Sequence, residues 1–361
     1  MNTAADIDIL QVIELGGQEY LFLPAAPVHV SLIRATSADE AGNLVMDREP
    51  VALAAFVQAA AARSSGGKVI AQVQKVVPSG ALHPHSVKVP GTLVDHLVIV
   101  PEPLQAAGIS YDPSLSGETR RPLVSAIPEP AERWIAQRAI REIHRGDTVV
   151  LGYGISAFLQ HLMLDEGHFS DATFAIEQGS IGGLPLTGFG FGSSANPLAI
   201  IDAPSQFDLF NGGCYDQAML SFLQVDSQGR VNVHCLDARP NLSSGVGGFL
   251  DIAANAKRLI FLGYFTAGGL DVDVSGAELR IRREGKMRKF VERLDHVSFD
   301  PAHSRAKEVL YITERATFRW SDGVFALDEV APGIDVHKDV LAHMDYEPKL
   351  RMAGSGVPLS S

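Results

Sequence analysis

A chain of 361 residues carries 42 acidic against 30 basic side chains, a formal net charge of −12. That balance argues against general nucleic-acid binding and against adhesion to anionic membranes, while an anionic ligand held by a few local donors stays possible. Length and a 46% apolar composition predict about two domains, each able to bury its own core. No apolar run approaches the ~20 residues of a membrane helix. Met1 to Asp8 hold no basic region ahead of an apolar core, so no secretory signal is expected. Cys214 and Cys235 are too few for a disulfide framework and lack metal-site spacing. A cytoplasmic protein without a metal is the expectation.

In chain order, 18–23 and 28–34 read as strands split by prolines. Asp39-Glu40-Ala41-Gly42-Asn43 is then a polar turn into another short strand. Alanine-rich 50–62 predicts a helix stopped by Ser64-Ser65-Gly66-Gly67. The aliphatic run 68–77 predicts one continuous strand buried on both faces. The same order recurs later: strand 219–225, polar turn Asp226-Ser227-Gln228-Gly229-Arg230, short strand 231–234, small-residue helix 248–256 and aliphatic strand 258–264. Such an internal repeat predicts two similar open α/β domains in series. About a hundred residues precede the second copy and almost none the first, so the first domain is expected to be incomplete at its N-terminus.

The expected division is 1–112 for the latter part of the first domain, 113–131 for a linker and 132–361 for the second domain. Pro113, Pro122, Pro128 and Pro130 crowd the linker, and proline at that density resists helix and sheet alike. Helical periodicity restarts over 132–144, and strand 147–151 runs into Gly152-Tyr153-Gly154 and a helix through Met163. A strand, a glycine turn and a helix can cradle phosphate, although tight βα turns use Gly-x-Gly equally well without a ligand. His83, His85, His161 and His168 lack partners at metal spacing, which points to surface or capping roles. The basic run 280–289 reads as an exposed β-hairpin turning about Gly285.

The stretch with most chemistry in it is Phe174-Ala175-Ile176-Glu177-Gln178-Gly179-Ser180-Ile181-Gly182-Gly183. An apolar run ends in a carboxylate and three glycines follow. Ligands of open α/β sheets bind beyond the carboxyl ends of the strands, so Glu177 stands where a reacting group would stand. The plainer alternative is a glutamate that caps the next element or faces water. Three further glycine breaks follow apolar runs: Gly212-Gly213-Cys214-Tyr215-Asp216, Gly245-Val246-Gly247-Gly248-Phe249, and Gly268-Gly269.

Together these strings resemble the C-terminal domain of the family I coenzyme A transferases, in particular the fused acetate/propionate/3-oxoacid type. That family carries Glu-x-Gly-x-x-Gly-Gly, Gly-Gly-x-x-Asp and Gly-x-Gly-Gly-Phe/Ala in this order, and Ala331-Pro332-Gly333-Ile334-Asp335 is also typical of it. Its active-site loop Asn-Leu-Gly-x-Gly-x-Pro is matched by 150–156, with Val150 and Ser156 in place of the Asn and Pro. The resemblance implies that Glu177 is the nucleophile, and that Gly247 and Gly248 supply backbone donors to an oxyanion. A free carboxylate attacks a thioester without an activating base.

The resemblance further implies a coenzyme A site drawing on Gly152, Gly154, Asn196, Gly212, Gly213, Gly268 and Gly269, with Asp216 shaping the pocket. Cys214, where the family usually has glycine, is expected as a small buried hydrophobe. A purely structural role is open to each of these glycines, which permit tight turns whatever binds beside them. No tightly bound cofactor is implied; coenzyme A and acyl-CoA are substrates, with a small carboxylic acid as acceptor. The implied partners are a second copy of the chain or a chain supplying the missing N-terminal segment. Two other functions are open: a thioester hydrolase on the same scaffold, or an inactive partner subunit. A nicotinamide enzyme lacks its fingerprint.

Overall fold

The computed structural model describes residues 10–106, 108–239 and 245–351, so Met1 to Asp8 lie outside the described residues. The chain divides into two compact units, Met1–Asp47 with Ala54–Glu102, and Arg48–Leu53 with Pro103–Ser361. Among the described residues no helix is long and apolar enough to cross a membrane.

In the first unit, strands β1 (Val30–Arg34), β2 (Lys68–Val73) and β3 (His96–Ile99) lie parallel in that order. Helix α1 (Ala55–Ser64) buries Ala55, Ala59 and Ala62, a stripe at helical spacing. Small side chains there let helix and sheet approach closely. The run expected as one strand over 68–77 is broken at Gln74, which donates its N–H to Thr36 O at 3.0 Å. Beyond it Lys75–Val77 joins a different sheet, parallel to Ser37–Asp39. Continuous apolar character therefore covered two strands with a bend between them.

Among the described residues the main sheet of the second unit has ten strands. Its centre is parallel: β5 (Thr173–Ile176), β4 (Thr148–Leu151), β6 (Gln217–Ser221), β7 (Arg258–Leu262) and β8 (Glu308–Ile312), in that spatial order. Antiparallel β9 (Ala316–Ser321) and β10 (Val324–Val330) extend one side. Alternation along the strands sorts two cores. Val149, Leu151, Phe174, Ile176, Met219, Ile260, Leu262, Leu310 and Ile312 meet α2 (Pro130–Ile140) and α3 (Leu159–Asp165). Val150, Ala218, Leu220, Leu259, Phe261, Val309 and Tyr311 meet α4 (Ala203–Asn211) and α5 (Phe249–Asn255). Because the side-chain period is two, every strand buries both faces, as a parallel sheet between two helix layers must. Phe261 is wholly buried in the second core, and Phe261→Ala there would cost ~3–5 kcal/mol.

Segment 113–131 forms neither helix nor strand before Pro130 and is held on the second unit. Asn196 closes two bonds with the backbone of Arg121, Asn196 N–H donates to Ser114 O at 2.9 Å, and Ala126 N–H donates to His161 Nδ1 at 2.9 Å. The expected hairpin about Gly285 is also relocated. Asp271–Ser275 pairs with Glu278–Arg283, and the chain turns at Gly276. Past Gly285 it runs on to pair Met287–Arg288 with Thr266–Ala267. Gly285 is needed for close approach: a Cβ there would stand 2.6 Å from Thr266 Oγ1. Charge alternation marked the strand correctly and misplaced the turn.

The repeat read from the sequence is present in the backbone. Asp39 Oδ1 accepts from the N–H groups of Ala41 and Asn43, and its Oδ2 from the Asn43 amide. Asp226 Oδ1 accepts from Gln228 and Arg230 N–H, and its Oδ2 from Arg230 Nε. In both turns the aspartate carbonyl accepts from a glycine N–H, Gly42 or Gly229. Each turn is followed by a short strand, a helix, and a strand parallel to the one preceding the turn.

Candidate active site

The five central strands end together at Leu151, Ile176, Ser221, Leu262 and Ile312, and the loops leaving them share one edge of the sheet. After Ile176, Gly179 N–H donates to Ile176 O at 3.0 Å and closes a four-residue turn with Glu177 and Gln178 in its middle. Ala175 belongs to the face of the sheet opposite Phe174 and Ile176, which meet α2 and α3. The Glu177 side chain, two residues on from Ala175, meets the elements of the other face. A Cβ on Gly248, the residue ahead of α5, would stand 2.9 Å from Glu177 Cδ and 2.8 Å from Phe207 Cζ of α4. One on Gly247 would stand 3.4 Å from both carboxylate oxygens.

The Glu177 carboxylate is thus seated against bare backbone, with the Phe207 ring beside it. It is half-buried, and among the described residues nothing donates a hydrogen bond to it. Nor do the N–H groups of Gly247 and Gly248 reach a backbone acceptor among the described residues. Free lone pairs on a carboxylate and free donors on the adjoining backbone are the two halves of acyl-transfer chemistry: a nucleophile and a cradle for a developing oxyanion.

Gly152 and Gly154 follow β4 at the same edge. Gly152 N–H donates to Met219 O at 2.9 Å and Gly152 O accepts from Ser156 Oγ at 2.7 Å, while open space surrounds the position of a Cβ on Gly154. Gly268 and Gly269 follow the short strand Thr266–Ala267 beyond β7, and their carbonyls accept from Lys286 N–H and Arg283 Nε. Asn196 has both polar atoms of its amide engaged with Arg121, a lock on the 113–131 segment.

Gly212, Gly213 and Asp216 are not brought to Glu177. They precede β6, and Asp216 exchanges hydrogen bonds with Thr148 at the start of β4. The opposite end of a four-residue strand is ~13 Å away. Asp216 is an anchor: the Thr148 N–H and the Lys257 ammonium hold its carboxyl below the usual carboxylate range. Gly213 makes room for Arg305, whose Nη1 would stand 2.2 Å from a Cβ there. Cys214, expected buried, is exposed at this same far end.

His161, expected at the surface or as a cap, is buried in the structure. Its Nε2 meets Pro185 O at 2.8 Å, and burial lowers its affinity for a proton. His83 does cap, accepting from His85 N–H at the start of a short 3-10 turn. Among the described residues no group of three His, Cys, Asp or Glu side chains could hold a metal ion.

Two residues near the site carried no signal in the sequence. Gln206 ends the first turn of α4 and Phe207 opens the second, and only Asp202-Ala203-Pro204, a helix-start pattern, marks their neighbourhood.

Comparison with known proteins gives the same direction. A family model described as coenzyme A transferase matches residues 6–99. Caffeate CoA-transferase of Acetobacterium woodii is 36% identical over 360 residues, covering 97% of this chain and 68% of that protein. Acetate CoA-transferase YdiF of Escherichia coli K12 is 37% identical over 357 residues, covering 96% of this chain and 66% of that protein. A crystal structure of the acyl-CoA transferase YdiF from E. coli O157:H7, a thioester complex with CoA, matches with a TM-score of 0.88 at 35% identity, covering 97% of this chain and 66% of that one. The chain therefore spans about two thirds of the length of these relatives. With identity at this level sustained along nearly all of its length, the chain belongs to the family I coenzyme A transferases.

Proposed function

We propose that the chain transfers coenzyme A from an acyl-CoA to a small carboxylic acid, with Glu177 as the covalent nucleophile. The Glu177 carboxylate attacks the thioester carbonyl, the C–S bond breaks, and the CoA thiolate leaves a mixed anhydride. The thiolate then attacks the glutamyl carbonyl, expelling the first acid as its carboxylate and forming a glutamyl-CoA thioester. An incoming carboxylate runs the two steps in reverse. Each addition creates an oxyanion, for which the N–H groups of Gly247 and Gly248 are the donors; one such donor is typically worth ~3–4 kcal/mol.

The observation that carries this reading is the Glu177 carboxylate seated against Gly247 and Gly248 with no hydrogen-bond donor among the described residues. The thioester complex of the related YdiF supports it. Mass spectrometry after incubation with acyl-CoA should find a hydroxylamine-sensitive CoA adduct on the peptide containing Glu177. Adduct on another peptide, or full transfer by Glu177→Ala, ends the assignment. Rapid CoA release without an acceptor acid would favour hydrolysis over transfer.

A further inference from the structure

Gln206 sits in the first turn of α4 and is wholly buried, where glutamines are uncommon. Its Nε2 donates to Ile176 O at 3.3 Å. That carbonyl also closes the turn presenting Glu177, through the N–H of Gly179. The Gln206 Oε1 is sealed from solvent and finds no hydrogen-bond partner among the described residues. Reversing the amide would set two acceptors face to face, so the bond to Ile176 fixes its orientation and strands Oε1. A buried acceptor left unpaired is costly to stability. The next residue, Phe207, and the Glu177 carboxylate both face the Cβ position of Gly248, at 2.8 Å from Cζ and 2.9 Å from Cδ. Residues 206 and 207 therefore stand behind the first carbonyl of the nucleophile's turn and across the Gly248 Cβ position from its side chain. The helix is itself pinned at its start, where Ala203 N–H donates to Leu53 O at 2.9 Å.

We propose that Gln206 is a positioning residue: it holds the Ile176 carbonyl so that the Glu177 carboxylate stays against Gly247 and Gly248. The orphaned Oε1 is the stability given up for that placement. This inference rests on Glu177 as nucleophile. Gln206→Met keeps the volume and removes both the donor and the orphan. Its thermal midpoint should match or exceed that of the unaltered protein. At saturating acyl-CoA, its rate of adduct formation on Glu177 should fall about ten- to a hundredfold, with the half-saturating concentration unchanged. Gln206→Glu, of the same shape, should lose rate similarly while its carboxyl is ionised.

Gln217 is the matched control. It too is wholly buried with an unpartnered Oε1, but its Nε2 donates to Glu142 O and Asp147 at the far end of the sheet. Gln217→Met should lower the midpoint and leave the rate per folded molecule unchanged. Adduct formation by both Gln206 variants at the unaltered rate, or a loss that follows the folded fraction alone, overturns the proposal for Gln206 and leaves the nucleophile in place. Absence of any Glu177 adduct in the unaltered protein removes both.

Discussion

At Gly248 the backbone has φ −79° and ψ 6°, which alanine can adopt, so Gly248→Ala tests the space beside Glu177 rather than the loop. The added methyl would fall 2.9 Å from Glu177 Cδ, and the flexible carboxylate must swing aside. Displacement on the order of 1 Å can cost ~10²-fold in rate. The expected outcome is a folded protein by circular dichroism whose adduct forms about a hundredfold more slowly. Gly247→Ala adds backbone strain, because φ there is +54°, a penalty of ~1–2 kcal/mol for a side chain. It should lose both stability and rate, and a denaturant titration separates the two. At this scale the motif order exposed Glu177, Gly247 and Gly248, and the structure brings those three together. Gly212 and Gly213 carried an equal signal and lie at the other end of the sheet. A glycine break looks the same at either end of a strand; only strand direction tells them apart. Gln206 was illegible for a different reason, since a glutamine near a helix start reads as a surface residue until its burial is known.

Between elements, the structure invests heavily in buried charge. Arg315 is wholly buried, bonded to Glu284, Glu314 and Asp339 O, with its guanidinium over the Phe265 ring. Burial alone would raise the Glu284 carboxyl, but hydrogen bonds from Arg315 and Thr266 prevail and hold it at about 2. A depressed carboxyl contributes stability that is complete above its ordinary value of 4.5 and is lost as pH falls toward 2. Glu284→Gln should therefore flatten the acid limb of stability against pH, measured by denaturant midpoints from pH 5 downward.

Lys289 has the opposite sign. Burial pushes its ammonium from 10.5 down to about 7, against the pull of Glu314. Between those values the unfolded chain binds a proton that the folded chain does not, so this residue makes stability rise with pH across that window. Lys289→Met should raise stability at pH 7 and abolish that rise, read as the difference between the two proteins in urea. None of this was visible in the basic run 280–289. Its alternation announced a strand, yet a charge run gives no sign of which member is carried inside.

Over the whole chain, the alternation of strands and helices and the repeat were legible, because apolar period and turn chemistry are local properties. Where strands change sheet, as at Gln74, and where a glycine serves proximity rather than turning, as at Gly285, the cause lies in residues far away in sequence. The two aspartate turns show what this means for exchange of parts. Five residues, 39–43 or 226–230, meet the same requirements: one carboxylate taking three bonds, one glycine with positive φ, and one side-chain donor at the last position. Each turn is also tied to distant parts of its unit, Asn43 Oδ1 by the Gly91 N–H at 2.9 Å and Gly229 O by the Tyr311 hydroxyl. Replacing 39–43 by the residues of 226–230 should lower the thermal midpoint, because arginine at 43 offers the Gly91 N–H no acceptor. The same swap with Asn43 kept should largely restore it, and Asp39→Ala and Asp226→Ala should each lower it. The two turns share one pattern of bonds, and each is fitted to its own unit by the contacts it makes outside itself.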